Sequence, residues 1–236
     1  MLFLALAMGI WLPSRTAEAE GDTLAALLPK LSAWSARFEA MLDRATFTMS
    51  GHTEEVDGDG HASDRKEGVF RINARGPRAH VEVIRYTEDG EDKTAKAREK
   101  VKKDEKDRAN KPRDPDEILH MPFLASQLAK YDFRIGETDP RTPTRVRVYF
   151  TAKERAKNLG IGSAWVDVRT GDVLSMGVSP SKTSMFVDTL NVTLEFGEST
   201  PMGPGMSRVT FDARGGFLFF RKRVRGVALV SNYDVK

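Results

Sequence analysis

Apolar and polar residues alternate most strictly toward Phe196. Leu190, Val192, Leu194 and Phe196 fall on one side of an extended chain, and Asn191, Thr193 and Glu195 on the other. That period of two predicts a strand with one apolar face and one wet face. Just upstream, Val166 to Val173 (VDVRTGDV) predicts a hairpin, with Gly171 at the position that needs positive φ. The alternation recurs along the chain. Ala45, Phe47 and Met49 alternate with Thr46, Thr48 and Ser50, and GVFRINA (68–74) and HVEVIRY (80–86) continue it. Turns at Gly58-Asp59-Gly60 and Gly76-Pro77 separate these runs. Further strands begin at Tyr131 and Phe133, run through 145–150, include Val209, Phe211 and Ala213, and close with 216–221 and 227–233. Roughly ten or eleven strands result, spaced as an up-and-down antiparallel sheet requires. A sheet that large is expected to curve. Its apolar face is then expected to be covered incompletely, with room for a greasy ligand.

A different period precedes the strands. Leu24, Leu27, Leu28, Leu31, Trp34, Phe38 and Leu42 recur at spacings of mostly three and four, which predicts an amphipathic helix over 23–43. Asp22 is a candidate N-cap, and Pro29 inside the stripe predicts a kink or a restart. The sheet's inner face is the surface this stripe needs. A second, shorter apolar helix or loop-helix is predicted over 118–129 (ILHMPFLASQLA). Between Glu88 and Glu117 the pattern fails, because almost every residue is charged and Val101 is the only large aliphatic. Opposite charges three and four apart allow a solvated helix there. The segment reads as a flexible insertion on a loop, or as a docking arm for a charged partner.

The first residues read as an address. Met1 to Leu12 is an apolar run too short to span a bilayer, and Ala17-Glu18-Ala19 follows it. A signal peptide over residues 1–19, removed after Ala19, is the expected reading, leaving 20–236 as a single domain in the periplasm. The chain has no cysteine, which excludes a disulfide scaffold, a thiolate metal site and a cysteine nucleophile. It also excludes a lipid anchor on a cysteine. Net charge is only +3 across 37 basic and 34 acidic residues. No basic module with interleaved aromatics stands out, so nucleic acid is not an expected partner.

Candidate chemistry is sparse. His52, His61, His80 and His120 have no partner at metal-ligand spacing. Asp57 to Ala62 starts like a calcium loop, then places His61 and Ala62 where a ligand oxygen and glycine belong. Phosphate-loop, dinucleotide and nucleophile-elbow patterns are absent. No metal, no cofactor and no enzymatic activity are expected.

Several local patterns together resemble the LolA-like family of periplasmic lipoprotein carriers. Met121-Pro122-Phe123-Leu124 precedes Tyr131-Asp132-Phe133. The run 145–150 (RVRVYF) precedes Ala164-Trp165-Val166-Asp167 and Thr170-Gly171, a W-[VI]-D-x-x-T-G hairpin. Phe186-Val187 leads into 190–196, and Ser231-Asn232-Tyr233 closes the chain. The resemblance implies an α+β, mostly β, fold. Its curved antiparallel sheet forms a half-open barrel, with amphipathic helices over the concave face. It further implies that the chain binds acyl chains of lipoproteins or other lipids as a monomer. An inner-membrane donor and an outer-membrane acceptor would be its protein partners. The charged insertion lies outside the family pattern, and the arginine that gates the carrier's cavity is assigned to no residue here.

On that reading the cavity lining comes from the apolar sides of strands: Phe47, Met49, Phe70, Val81, Val83, Val146, Val148, Phe150, Leu190, Val192, Leu194 and Phe211. Trp34, Phe38, Met121, Phe123 and Leu124 are the lid candidates. Two alternatives stand beside the carrier. One is an envelope-stress sensor of related fold that regulates a membrane partner. The other is an interaction module whose cavity is filled by its own side chains.

Overall fold

The computed structural model describes residues 15–57, 60–75, 79–109, 120–183, 186–217 and 220–236. The predicted signal segment up to residue 14 lies outside the described residues. Helix α1 (Arg15–Leu42) is followed by β1 (Ala45–Val56), β2 (Ala62–Asn73), β3 (His80–Glu88) and the two-residue β4 (Glu91–Asp92). Then come α2 (Thr94–Ala109), β5 (Tyr131–Asp139), β6 (Thr142–Ala152), β7 (Gly160–Asp167) and β8 (Val173–Pro180). Three long strands close the chain: β9 (Val187–Thr200), β10 (Gly203–Phe217) and β11 (Phe220–Val235).

All eleven strands form one sheet, in the order β4-β3-β2-β1-β11-β10-β9-β8-β7-β6-β5. Every pairing is antiparallel. Two meanders, β1 to β4 and β5 to β11, are zipped together where β11 pairs with β1. The terminal strands do not meet, so the sheet is open and curled, a half-open barrel. Register partners share a face. The inner face is therefore followed from Val148 to Ala164, Met176, Leu194, Val209 and Ala228.

One helix covers that face in part. Leu27, Leu31, Trp34, Phe38 and Met41 of α1 are buried at helical spacing, nearly the predicted stripe. Trp34 and Phe38 stack at 5.3 Å, and each meets the edge of Phe196, at 4.9 and 5.3 Å. The helix does not restart at Pro29 but continues through it. Proline removes one intrahelical donor, but the turns on both sides are pinned. Leu27 and Leu31 are buried, and the Lys30 ammonium donates to the carbonyls of Val168 and Arg169 at 2.9 and 3.1 Å.

The hairpin from Val166 to Val173 shows why its sequence reads as it does. The Asp167 carboxylate accepts from the Arg169 and Thr170 N–H groups at 2.9 and 3.4 Å and from the Thr144 hydroxyl at 3.1 Å. Burial opposes ionisation of Asp167, yet these donors hold its carboxyl below the ordinary value. Gly171 has φ +76°, and a Cβ there would fall 2.4 Å from the Lys30 Cβ. Trp165, the aromatic of the same motif, faces away from the core. Its ring lies 5.8 Å from the Arg147 guanidinium.

Two predicted segments came out differently. The charged insertion contains α2, which lies along the edge strand β3 instead of hanging in solvent. Arg98 donates to the Val83 and Ile84 carbonyls at 2.9 and 3.3 Å, and the Val81 N–H donates to Glu105 at 3.1 Å. The Tyr86 N–H donates to the Thr94 hydroxyl at 2.9 Å. A helix without an apolar stripe can dock this way because an edge strand carries unpaired backbone groups. Residues 110–119 lie outside the described residues. The short helix or loop-helix predicted at 118–129 is, from His120 on, a series of turns ending in a 3-10 turn at Leu128–Lys130. Pro122 disfavours helical backbone at Met121 before it.

Candidate functional site: the concave face

The inner face divides into two halves. Under α1, Val146, Val148 and Phe150 of β6 are buried, together with Ala164, Val166, Val173, Met176 and Val178. The lid candidates Trp34, Phe38 and Phe123 are buried in the same cluster, and Phe123 meets Phe133 and Phe150 at 5.7 and 5.8 Å. Met121 and Leu124 are half-buried beside it. These predicted lining and lid residues thus meet one another.

Beyond α1 the cover thins. A second small cluster forms around Ala45, Phe47 and Val230, with Tyr233 5.1 Å from the Phe47 ring. Asn232, at φ +55°, sits where the β1–β11 register slips, and this bulge keeps Tyr233 on the inner face. The Tyr233 hydroxyl donates to the Met206 carbonyl at 3.1 Å, and burial raises its pKa. Val83 is buried, whereas Met49, Phe70, Val81, Leu190, Val192, Leu194 and Phe211 are only half-buried.

Register joins these half-buried residues into a band across strands. Val192 faces Phe211, Phe211 faces Gly226, Met49 faces Phe70, and Phe70 faces Val83. Between the two phenylalanines run Ala228, Gly51 and Gly68, paired in that order. The rings lie low over glycine. A Cβ on Gly226 would come within 2.5 Å of the Phe211 ring, and one on Gly68 within 2.3 Å of the Phe70 ring. The result is a shallow apolar trough, floored by small residues and walled by Phe70 and Phe211. Sequence reasoning listed the walls and missed the floor. The signal was available, since a glycine inside a strand pattern often marks close approach of another group.

The band has little chemistry of its own. Among the described residues no group of histidines and carboxylates is arranged to hold a metal. His80 pairs with Glu105 at 2.8 Å and His61 with Asp57 at 3.7 Å, both on the surface. In the failed calcium loop, whose residues 58–59 lie outside the described residues, the Asp57 carboxylate accepts the His61 N–H at 2.8 Å. Ser35 Oγ and Gln127 Oε1 are buried without a hydrogen-bond partner among the described residues. What the band can do is hold apolar matter by contact.

An open, curled antiparallel sheet with α1 across its hollow defines a half-open barrel. No protein-family profile matches the chain. No curated protein matches it either. Among solved structures it is similar to a LolA superfamily protein from Nitrosomonas europaea, at 8% identity and a TM-score of 0.33, covering 86% of this chain and 93% of that one. It is also similar to MucB in complex with MucA(peri), at 10% identity and a TM-score of 0.22, covering 87% and 98%. The MucA/MucB complex of Pseudomonas aeruginosa matches at 12% identity and a TM-score of 0.24, covering 87% and 99%. Similarity at this level carries no argument about function. Among the described residues no helix is long and apolar enough to cross a membrane.

Proposed function

We propose that this chain is a non-enzymatic carrier of the periplasm, holding acyl chains of lipoproteins or related lipids on the concave face beyond α1. The observation that supports it is the half-buried band from Leu190, Val192 and Phe211 across the glycine floor to Met49 and Phe70. Its energetics suit a carrier. A sixteen-carbon tail has about 15 methylenes at ~0.8 kcal/mol each when fully buried, or roughly 12 kcal/mol gross. A trough open on one side removes about half of that surface from water, so roughly 6 kcal/mol remains before ordering costs. Such affinity permits both capture and release. Donor and acceptor proteins at the inner and outer membranes would supply and remove the cargo.

Native mass spectrometry of protein purified gently from the cell envelope tests this. Acyl species are expected to co-purify and to disappear in Phe211→Asp. An unloaded protein that also fails to bind a sixteen-carbon fluorescent probe would overturn the reading. The same spectra check export. The N-terminus is expected at Glu20, and an intact Met1 in envelope extracts defeats it.

A further inference from the structure

The convex face of β5 to β7 carries an ordered ridge that the core does not use. Val146, Val148 and Phe150 of β6 are buried inward, so Arg145, Arg147, Tyr149 and Thr151 turn outward. Arg134 of β5, Tyr149 and Arg147 of β6 and Trp165 of β7 then form a ladder of alternating guanidinium and ring. The Arg134 guanidinium lies 4.5 Å from the centre of the Tyr149 ring. Arg147 lies 5.3 Å from Tyr149 and 5.8 Å from Trp165. Its Nε donates to the Ser163 hydroxyl at 3.0 Å, which fixes the guanidinium while leaving its terminal N–H groups out of that bond. Stacking of this kind orders the four side chains before any partner arrives. Register places small residues beside them: Ser163 pairs with Tyr149, Gly177 with Ser163, and Ser175 with Trp165. The ladder therefore stands above its neighbours. Next to Tyr149 a depression of about 410 Å³ reaches Thr151 and Ile161, and Ile161 is 44% exposed.

The charge of this ridge is unbalanced. Among the described residues Arg134, Arg145 and Arg147 have no carboxylate within 4.0 Å. The acids bordering them are engaged by other groups. The Tyr149 hydroxyl donates to both Glu137 oxygens, at 2.8 and 3.0 Å. Asp167, opposite Arg145 in register, accepts from the turn that it closes. Glu195 and Asp132 lie 3.8 Å from Arg208 and Lys153. Tryptophan, tyrosine and arginine in one outward patch are the residue types that carry most binding energy at protein interfaces. An arginine fork fits a carboxylate through two parallel hydrogen bonds. Arg145 and Arg147 are two residues apart on one strand, or about 6.6 Å. Carboxylates at alternate positions of another extended chain have the same repeat and match both guanidinium groups.

We propose that this convex ridge docks an acidic, extended segment of a partner protein. Two carboxylates at alternate positions of the segment meet Arg145 and Arg147, while Arg134 steadies the Tyr149 ring. One large apolar residue of the segment fills the depression over Ile161. Thr151, the register partner of Ile161, stands four residues from Arg147, so that apolar residue lies about four positions beyond the nearer acid. The ridge is on the face opposite the trough, and cargo and partner bind without competing. The proposal goes beyond the carrier reading and does not depend on it.

Fluorescence anisotropy of a labelled synthetic peptide titrated with the full chain tests it. The probe is a short chain of glycine and serine, with two aspartates at alternate positions and a leucine four positions after the second. Saturable binding is expected, and it is expected to weaken as salt rises. A control peptide with asparagine in place of aspartate is expected to bind at least ~10-fold more weakly. Arg147→Gln is expected to weaken binding of the acidic probe by a similar factor. Arg147→Lys should recover only part of that loss, because an ammonium lacks the planar fork. Ile161→Ser is expected to weaken binding at unchanged charge. Circular dichroism and thermal unfolding confirm that each variant is folded. No saturable binding up to about 1 mM overturns the proposal, as does a folded Arg147→Gln variant that binds as wild type does. Equal capture of a sulfated polysaccharide overturns it too, since the ridge would then hold any polyanion. Phe211→Asp keeps the carrier separate: it is expected to abolish acyl retention and to leave peptide binding unchanged. Peptide binding by a wild-type chain that retains no acyl species refutes the carrier alone.

Discussion

The strands under α1 and the strands beyond it carry the same alternation but end in different states. From β5 to β8 the inner residues, joined by Phe196 of β9, are roofed by Trp34, Phe38 and Phe123 and are mostly buried. From β10 through β11 and β1 to β2 the inner residues are as apolar, yet Met49, Phe70 and Phe211 stay half-buried above a floor of glycine and alanine. The pattern of apolar positions makes a strand two-faced in both halves. Whether that face becomes core or stays half-open depends on where α1 lies.

The largest test of this contrast is Trp34→Ala. It removes the ring shared by Phe38 and Phe196 and is expected to cost ~3–5 kcal/mol in denaturant unfolding. A loss under about 1 kcal/mol would mean that the covered half is loosely packed after all. Next comes Asp167→Ala, expected to cost about 1–2 kcal/mol at neutral pH, because three donors lose their acceptor. The folded pKa of Asp167 lies below its unfolded value, so its contribution is present above pH ~4 and is lost as pH falls through the folded pKa. The gap between wild type and variant is thus expected to close in acid; a gap independent of pH would remove the carboxylate's charge from the account.

Phe211→Ala, in the open half, is expected to cost only ~1 kcal/mol, because its ring already touches solvent. It should nevertheless weaken acyl-probe binding by about tenfold, since roughly 1.4 kcal/mol of contact is one decade of affinity. If it destabilises the protein as much as Trp34→Ala, the band is core and the contrast collapses. Smallest is Ser35→Ala. Its hydroxyl is buried without a partner among the described residues, so removal is expected to be neutral or stabilising by up to ~1 kcal/mol. A clear loss would reveal a hydrogen bond that the fold supplies in solution.

Much of the architecture was legible in advance because it depends on local period. The stripe of α1, the alternation of β6 and β9 and the Gly171 turn all follow from contacts between near neighbours in the chain. Three features were not legible, each for a physical reason. Pro29 sits within a helix because tertiary anchors at Leu27, Lys30 and Leu31 outweigh one lost donor. The insertion forms a helix against the sheet because β3 is an edge, and no residue within 88–117 announces that edge. The trough floor depends on Gly51, Gly68 and Ala228 lying side by side, although they are far apart in the chain.

The sequence alone determined that this is a largely β protein, with strands of one apolar face, an amphipathic helix to cover some of them, and no thiol chemistry. Those properties are set by residue type and local spacing. Tertiary structure alone decided that β11 closes on β1, that α1 roofs β5 to β8 and Phe196, and that a shallow apolar band stays open beyond it. Strand order and helix placement arise from contacts between distant segments, and residues distant in the chain leave no periodic trace of where they will meet.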